Sequence, residues 1–586
     1  MNSTIPQHLQ PGMQEKLQLL YGSKEGEAVF DRLKNILTSF TEENPQLSRA
    51  VNQNKSFSEK EIVLITYGDQ LSAEGRKPLT VLRDFLSEYC YDTISTVHLL
   101  PFFPYSSDDG FSVIDYRRVD PDLGSWGDIE KIGEQFDLMF DAVINHISIN
   151  SRWFKKFLQG DSRYANYFIS ADPATDLSEV TRPRANRLLS PFLTASGQRW
   201  LWTTFSPDQV DLNYQNPALL LEIIEVLLFY ISKKARILRL DAVAYLWKEI
   251  GSSCIHLPQT HVIVRLFRSI LKAVAPDVLM ITETNVPHAE NISYFGNGSN
   301  EAQLVYQFAL PPLVLYSFAT GNAVPLSAWA ASLTTKSEQV TFFNFLASHD
   351  GIGLRPVEGI LTAEQIKLLV ERTTAHGGLV SFKSNHDGSQ SPYELNINYF
   401  DALVNEQGGE NGVNKFMAAQ AILLALAGIP GIYIHSLLGS RNDQQGVKTS
   451  GLKRRINRQK LKYRDLTGEL QDNHSIRSAV LQRFSRLLRI RRNEKAFHPN
   501  ADQQVLFLDQ RLFSLCRMTS DGREVIIAFH NTSADRFKQK ISLLQLGLNQ
   551  YKQRKELLSG KEYSSEQQEL TVELDPYQVR WIKVSR

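Results

Sequence analysis

Four apolar stretches of this chain run into polar, mostly acidic ends. "DAVINH" closes on Asn145 and His146, "RILRLDAV" carries Arg239 and Asp241, "DVLMITETN" places Glu283 after an apolar run, and "TFFNFLASHD" closes on His349 and Asp350. In a strand, side chains alternate faces, so Arg239 and Asp241 point one way while Leu238 and Leu240 point the other. An unpaired buried charge costs several kcal/mol, so carboxylates gathered at one cavity demand a reason. Glycosidic chemistry supplies one. Of two carboxyl groups flanking a glycosidic bond, one can attack the anomeric carbon while the other protonates the leaving oxygen. The attacking group must stay ionised. Arg239 on the same strand face as Asp241 would lower its pKa and aim it. The acid needs a raised pKa, which apolar neighbours and a nearby carboxylate provide. Glu283, after "VLMIT" and one methylene longer than an aspartate, fits that role. Two plainer readings stand beside this one: Arg239–Asp241 as a structural ion pair, and each single strand-end Asp or His as a loop cap. Capping does not explain four such ends in order on four strands.

The ends converge only if the strands are parallel and share one rim. Eight runs qualify: "EIVLITYGD", "ISTVHLLPFFP", "DLMFDAVINH", "ARILRLDAV", "DVLMITETN", "AQLVYQFAL", "TFFNFLASHD" and "GIPGIYIHS". Helices lie between several of them, as where Asn216-Pro217 opens "LLLEIIEVLLFYISKK". This alternation predicts an α/β fold, a (β/α)8 TIM barrel with its site at the carboxyl ends of the strands. A doubly wound sheet is the alternative, but it would not usually place polar residues at so many strand ends. Two connections are longer than a barrel loop needs, 147–210 after the third strand and 351–415 after the seventh, and both read as inserted domains. The barrel then occupies 61–146, 211–350 and 416–499. Residues 1–60 read as a helical extension, from "MQEKLQLLYG" and "AVFDRLKNILTSF", and 500–586 as an all-β domain, from runs such as "EVIIAFHNTS".

Composition narrows the partners. At 586 residues, 42% hydrophobic and 22% charged, the chain has the balance of a soluble globular protein of several domains. A formal net charge of +1, with no basic block or zinc-finger spacing, excludes nucleic acid and anionic membranes as expected partners. Cys90, Cys254 and Cys516 lack C-x-x-C pairing and read as reduced thiols of a cytoplasmic protein. The opening "MNSTIPQHLQPGMQEK" has no apolar core, so no signal peptide is expected. The longest apolar stretches are broken by glutamates or by Gly-Ile-Pro-Gly, so no membrane span is expected. No dense oxygen-ligand loop of the D-x-[DN]-x-[DN]-G kind is present, and no metal is expected. The N-terminal arm and the terminal β domain are the candidate surfaces for a homodimer.

"DAVINH", "RLDAV", "ITETN" and "FLASHD" resemble the four ordered signature regions of the α-amylase superfamily, glycoside hydrolase family 13. The resemblance implies Asp241 as nucleophile, Glu283 as acid/base and Asp350 as transition-state stabiliser, with Arg239, His146 and His349 around the sugar. "HLLPFFPYSSDDGFSVIDY", "RPRA", "FSPDQVDLNY", "FALPPLVL", "SHDGIG" and "LLGSRND…RRINR" are similar to the sucrose phosphorylase subfamily through residues 61–500. That likeness implies that Asp108 and Arg458 grip glucose hydroxyls, that Phe111 and Phe205 form a platform for the ring, and that Gln209 lies near the acceptor. It implies transfer of glucose to phosphate, with net retention, through a β-glucosyl-enzyme. Phosphate would be a co-substrate and no cofactor is implied. Arg182 and Arg184 of "TRPRANR" could hold phosphate or acceptor by bidentate contacts.

Sucrose-specific members carry an Asp and a Gln flanking a Tyr after strand seven. Here "QSPYELN" has Ser391 and Glu394 in those places, with Tyr393 and Asn396 retained. This departure turns the expected acceptor away from fructose. The N-terminal extension, "SSDDGFSVIDY" and "ITETNVPH" more closely resemble glucosylglycerate phosphorylases, implying cleavage of 2-O-α-glucosylglycerate. Glycerol, fructose and fructose 6-phosphate are the alternative acceptors. Hydrolysis or transglucosylation, and a non-catalytic binding subunit, are the alternative classes of function.

Overall fold

The computed structural model describes residues 6–49, 57–184, 186–384, 389–404, 409–564 and 569–586. Eight strands close into a barrel: β1 (Val63–Thr66), β2 (Thr96–Leu99), β3 (Asp137–Ala142), β4 (Ala235–Leu240), β5 (Leu279–Thr282), β6 (Leu304–Tyr306), β7 (Thr341–Phe345) and β8 (Ile429–Tyr433). Every neighbouring pair is parallel, and β8 returns to β1 with Val63 opposite Gly431. Each strand lies inside one of the eight apolar runs. Helices cover the outside and side chains fill the inside, so both faces are dry and the strands do not alternate in polarity. The register sets the level of the later chemistry: Asp141 of β3 and Ile281 of β5 flank Arg239 of β4.

Three excursions leave the barrel. After β3, His146–Ser148 pairs antiparallel with Gln209–Asp211, so the chain departs and returns at one place. Between them a hairpin, Leu189–Thr194 with Gly197–Trp202, packs Leu189 and Trp202 with Val180 and Leu188 into a small core of its own. After β7, Gln390–Asn396 is the middle strand between Ile352–Gly353 and Leu379–Ser384. Beyond the barrel a five-stranded sheet forms, with Glu524–Asn531 near its centre. Ile526 and Ala528 of that strand join the barrel's core, while Val525, Ile527 and Phe529 join a second core inside the terminal domain. Period-two alternation thus serves two apolar layers at once. We propose 147–210 and 351–415 as inserted domains, 500–586 as the terminal β domain and 1–60 as the extension, with the barrel in the remaining segments.

The N-terminal arm folds as α1 (Gln10–Tyr21) and α2 (Ser23–Glu43), and its placement has a physical cause. Helix α3 (Pro217–Ser232), capped by Asn216, buries Leu219, Leu220, Leu221, Ile223, Ile224, Val226 and Leu227, which lie all round its axis. A helix apolar on every side cannot face water. Helix α2 covers the outer face of α3, and α1 packs on α4 (Pro258–Val274). Tyr21, at the end of α1, donates its hydroxyl to the carbonyl of Tyr214 at 2.9 Å, and Tyr214 in turn donates to the carbonyl of Ile144 at 2.7 Å. The arm is thereby linked to the segment that carries Asn145 and His146. Among the described residues no helix is long and apolar enough to cross a membrane. Leu33 of α2 is fully buried. Leu33→Ala is expected to lower stability by about 2–5 kcal/mol, read by chemical denaturation, with turnover per folded molecule unchanged.

Candidate active site

Asp241 leaves β4 directly after Leu240, Glu283 leaves β5 after Thr282, and Asp350 follows β7. All three carboxylates line one cavity at the carboxyl ends of the strands. Arg239 sits beneath it, 3% exposed, and one guanidinium serves several acids. Its Nη1 lies 2.5 Å from Asp141 Oδ1 and 2.8 Å from Asp241 Oδ1, and its Nη2 is 4.0 Å from Glu283 Oε2. Asp141 was not singled out from the sequence; its signal is a carboxylate inside the otherwise apolar "LMFDAV". It also accepts from His98 Nε2 at 2.7 Å. Burial opposes its charge, but Arg239 and His98 outweigh burial and hold it below the ordinary carboxylate range.

The three cavity carboxyls are pushed apart. Burial raises Glu283 to about 7, helped by the charges of Asp241 and Asp350 and opposed by Arg239. The Ala242 N–H donates to Glu283 Oε2 at 3.0 Å, and Ala242 holds a left-handed backbone, φ +49°, that few non-glycine residues adopt. Burial opposes charge on Asp350 too, yet Arg454 and Arg458 outweigh it and hold that carboxyl far below the usual range. Asp241 departs from the sequence expectation. Burial raises its pKa on balance, and Arg239 offsets that rise without reversing it, because the guanidinium is divided among Asp141, Asp241 and Glu283. A raised Glu283 beside a strongly ionised Asp350 is the separation that acid catalysis requires.

On the sugar side, Asp108, Phe111, His146, Phe205, Gln209 and His349 all line the cavity. Phe111 stacks on His349 at 4.7 Å between ring centres, 5° from parallel. Burial, with Arg239 and Arg458, lowers His349 to about 3, so the ring is neutral. His146 Nε2 and Gln209 Nε2 each lie 2.9 Å from the Phe111 carbonyl oxygen, which fixes the loop bearing that ring. Phe205 packs against His146 and Tyr245. Arg458 does not line the cavity. It stands behind the wall, 3.3 Å from Asp108 Oδ1 and 2.9 Å from Asp109 Oδ2, and donates Nε to the His349 carbonyl at 2.7 Å. Asp109, missed in the sequence, is its nearer partner and is held by Arg455 as well, at 3.1 Å.

On the acceptor side, Tyr393, Glu394 and Arg184 line the cavity. Glu394 is 2% exposed and its oxygens are already engaged. It accepts from Arg454 Nε and Nη2 at 3.0 and 2.9 Å and from the Gly351 N–H at 2.5 Å. A Cβ on Gly351 would stand 2.6 Å from the Glu394 side chain, so only glycine permits this approach. Arg454 Nη1 also holds Asp350 Oδ1 at 2.6 Å. Arg454 was missed because "KRRINR" does not say which arginine turns inward. Arg182 is not brought to the cavity: its guanidinium bonds the carbonyl of Asn186 within its own loop. Arg454, Asn285, Phe308, Ala242 and Gly351 complete the lining. A separate hollow of about 420 Å³, between the helix Gly409–Ala425 and the terminal sheet, has its Glu556 consumed by the Leu558 and Ser559 N–H groups and Arg580.

Asn145 does not line the cavity. Its Oδ1 accepts from Lys248 Nζ at 2.7 Å, and Lys248 pairs with Asp211 Oδ2 at 2.6 Å. Asp211 Oδ1 accepts from the Thr204 N–H at 2.8 Å, next to Phe205. A buried ammonium therefore joins the β3 loop, the returning insertion and the segment after β4. Among the described residues, no group of three or more His, Cys, Asp or Glu is placed to hold a metal ion.

Glu283 carries its proton below pH of about 7 and loses it above. Cleavage of substrates with poor leaving groups is expected to fall as pH rises through that value, while Glu283→Gln abolishes this limb and spares glucosyl fluoride far more than an alkyl glucoside. Lys248→Met leaves Asp211 buried without its cation, and is expected to cost about 3–5 kcal/mol, measured by denaturation.

With the geometry in place, the likeness to known proteins is informative. The alpha-amylase catalytic domain family matches residues 89–357. The chain is 53% identical to the glucosylglycerate phosphorylase of Allomeiothermus silvanus, covering 86% of this chain and 90% of that one. It is 46% identical to the glucosylglycerate phosphorylase of Escherichia coli K12, covering 91% and 93%. The crystal structure of sucrose 6F-phosphate phosphorylase from Thermoanaerobacter thermosaccharolyticum superposes with a TM-score of 0.71 at 27% identity, over 82% of this chain and 95% of that one. A barrel rim bearing Asp241, Glu283 and Asp350, on a chain this similar to those enzymes, belongs to the glycoside phosphorylases of the α-amylase superfamily, glycoside hydrolase family 13.

Proposed function

We propose that this enzyme is a retaining glucoside phosphorylase that converts 2-O-α-D-glucosylglycerate and phosphate into α-D-glucose 1-phosphate and D-glycerate. The observation that carries the reading is Arg184. It lines the same cavity as the three carboxylates and, among the described residues, has no acidic partner, whereas Arg454 is taken by Asp350 and Glu394. Both glycerate and phosphate are anions, and each needs a free cation beside so many carboxylates. In the first step an Asp241 oxygen bonds to C1 of glucose as the bond from C1 to the glycerate oxygen breaks, and Glu283 gives its proton to that oxygen. A β-glucosyl ester results. In the second step a phosphate oxygen bonds to C1, the ester bond breaks, and Glu283 takes back a proton from the incoming phosphate. Two inversions give net retention. Asp350, held by Arg454, lies beside the sugar where positive charge develops. The partners in this reading are small molecules, phosphate is the co-substrate and neither step draws on a cofactor. We place the enzyme in the cytoplasm, where its three buried thiols would remain reduced.

Incubation with α-glucose 1-phosphate and a panel of acceptors tests the reading. Phosphate release is expected with D-glycerate well above glycerol, fructose and fructose 6-phosphate. Release with fructose alone would refute the acceptor assignment, and free glucose as the main product would refute phosphorolysis.

A further inference from the structure

The site reading above leaves one question of charge. In 2-O-glucosylglycerate the carboxylate is attached to the carbon that bears the leaving oxygen, so it must sit close to Glu283. The cavity is lined by Asp108, Asp241, Glu283, Asp350 and Glu394, and its inward arginine, Arg454, is already saturated. Arg184 alone would face that field.

A second cation stands behind this wall, outside the lining itself. Arg355 opens the short helix Arg355–Val357, five positions beyond Asp350. The backbone leading to it is wedged against the lining. A Cβ on Gly353 would stand 2.5 Å from Asn285 Oδ1, and the Leu354 N–H donates to the Tyr393 carbonyl at 3.0 Å. Asn285 and Tyr393 both line the cavity, and Asn285 Nδ2 lies 3.4 Å from the Tyr393 hydroxyl. Arg355 makes no ion pair among the described residues, and its Nε is buried without a hydrogen-bond partner. Asn285 Oδ1 is buried without a partner too. Burial raises the pKa of the Tyr245 hydroxyl, and the charges of both Arg355 and Arg184 oppose that rise, so the two arginines act on one point. An unsatisfied buried donor and acceptor are each costly. Arg355 is retained despite that cost, with its charge uncancelled, behind the lining residues Asn285 and Tyr393.

We propose that Arg184 binds the carboxylate of a small hydroxy-acid acceptor and that Arg355, behind the lining, supplies the second positive charge that favours an anion there. The inference rests on the acceptor being an anion. It makes Arg355 a residue that selects the acceptor, on a segment connected directly to Asp350.

The test compares kcat/KM for D-glycerate with that for glycerol, using α-glucose 1-phosphate as donor. Arg355→Gln is expected to lower this ratio about tenfold or more, chiefly through KM for glycerate, and Arg355→Lys to restore part of it. Matching thermal unfolding of the variants and the parent enzyme separates this from loss of fold. A ratio unchanged within about threefold in Arg355→Gln, with the parent selective for glycerate, overturns this inference alone. A parent enzyme that ignores D-glycerate overturns the acceptor reading, and this inference with it.

Discussion

One guanidinium, that of Arg239, organises this protein. It is buried in the barrel, where an isolated cation would be very costly, and it is stable there because β3, β4 and β5 each supply an acid around it. Asp141 holds it most closely, at 2.5 Å, Asp241 at 2.8 Å and Glu283 at 4.0 Å. Asp141 is ionised whatever the substrate does, so it anchors Arg239. What remains of the positive charge is shared by the two groups that face the cavity. Neither is fully compensated, and both carboxyls are raised by burial. In the proposed mechanism, a stronger hold on Asp241 would make it a poorer nucleophile, and a stronger hold on Glu283 would strip its proton. The parallel register that sets Asp141 level with Arg239 is therefore as much a part of the chemistry as the groups that touch sugar.

The other arginines repeat this principle with different balances. Arg458 is matched by Asp108 and Asp109, and Arg454 by Asp350 and Glu394. Each pair joins segments far apart in the chain and leaves little net charge for a ligand. Arg184 and Arg355 have no acid partner among the described residues. The first set builds walls, and the second is the pair to which the proposed anion preference is assigned. Glu394, where sucrose-specific relatives are expected to carry an amide, completes the neutralisation of Arg454.

The barrel was legible because strands dry on both faces read as unbroken apolar runs, and each of the eight runs contains a barrel strand. The strand-end acids were legible for the same reason: a charge at the edge of such a run stands out. Asp141 did not stand out, because it lies within the run and its partner comes from another strand. Arg182 and Arg184 are two positions apart, and no spacing tells which one a loop will turn inward; the structure uses Arg182 to hold the loop and Arg184 to line the cavity. Arg454 depends on how a long segment after β8 returns to the rim, which no local pattern encodes. The effect of burial on Asp241 could not be read from its neighbour alone, since three acids divide the cation.

The pairing that closes the barrel, Val63 with Gly431, has a consequence for how the molecule is made. Its first strand leaves the ribosome several hundred residues before the last one that covers it. At ordinary synthesis rates the wait is on the order of tens of seconds. Throughout that interval β1 has one unpaired edge, and for the first part of it the arm ahead has no α3 or α4 to lie against. A newborn chain therefore spends most of its synthesis with an open strand edge, the kind of surface on which nascent chains aggregate, and that exposure is built into the order of its strands.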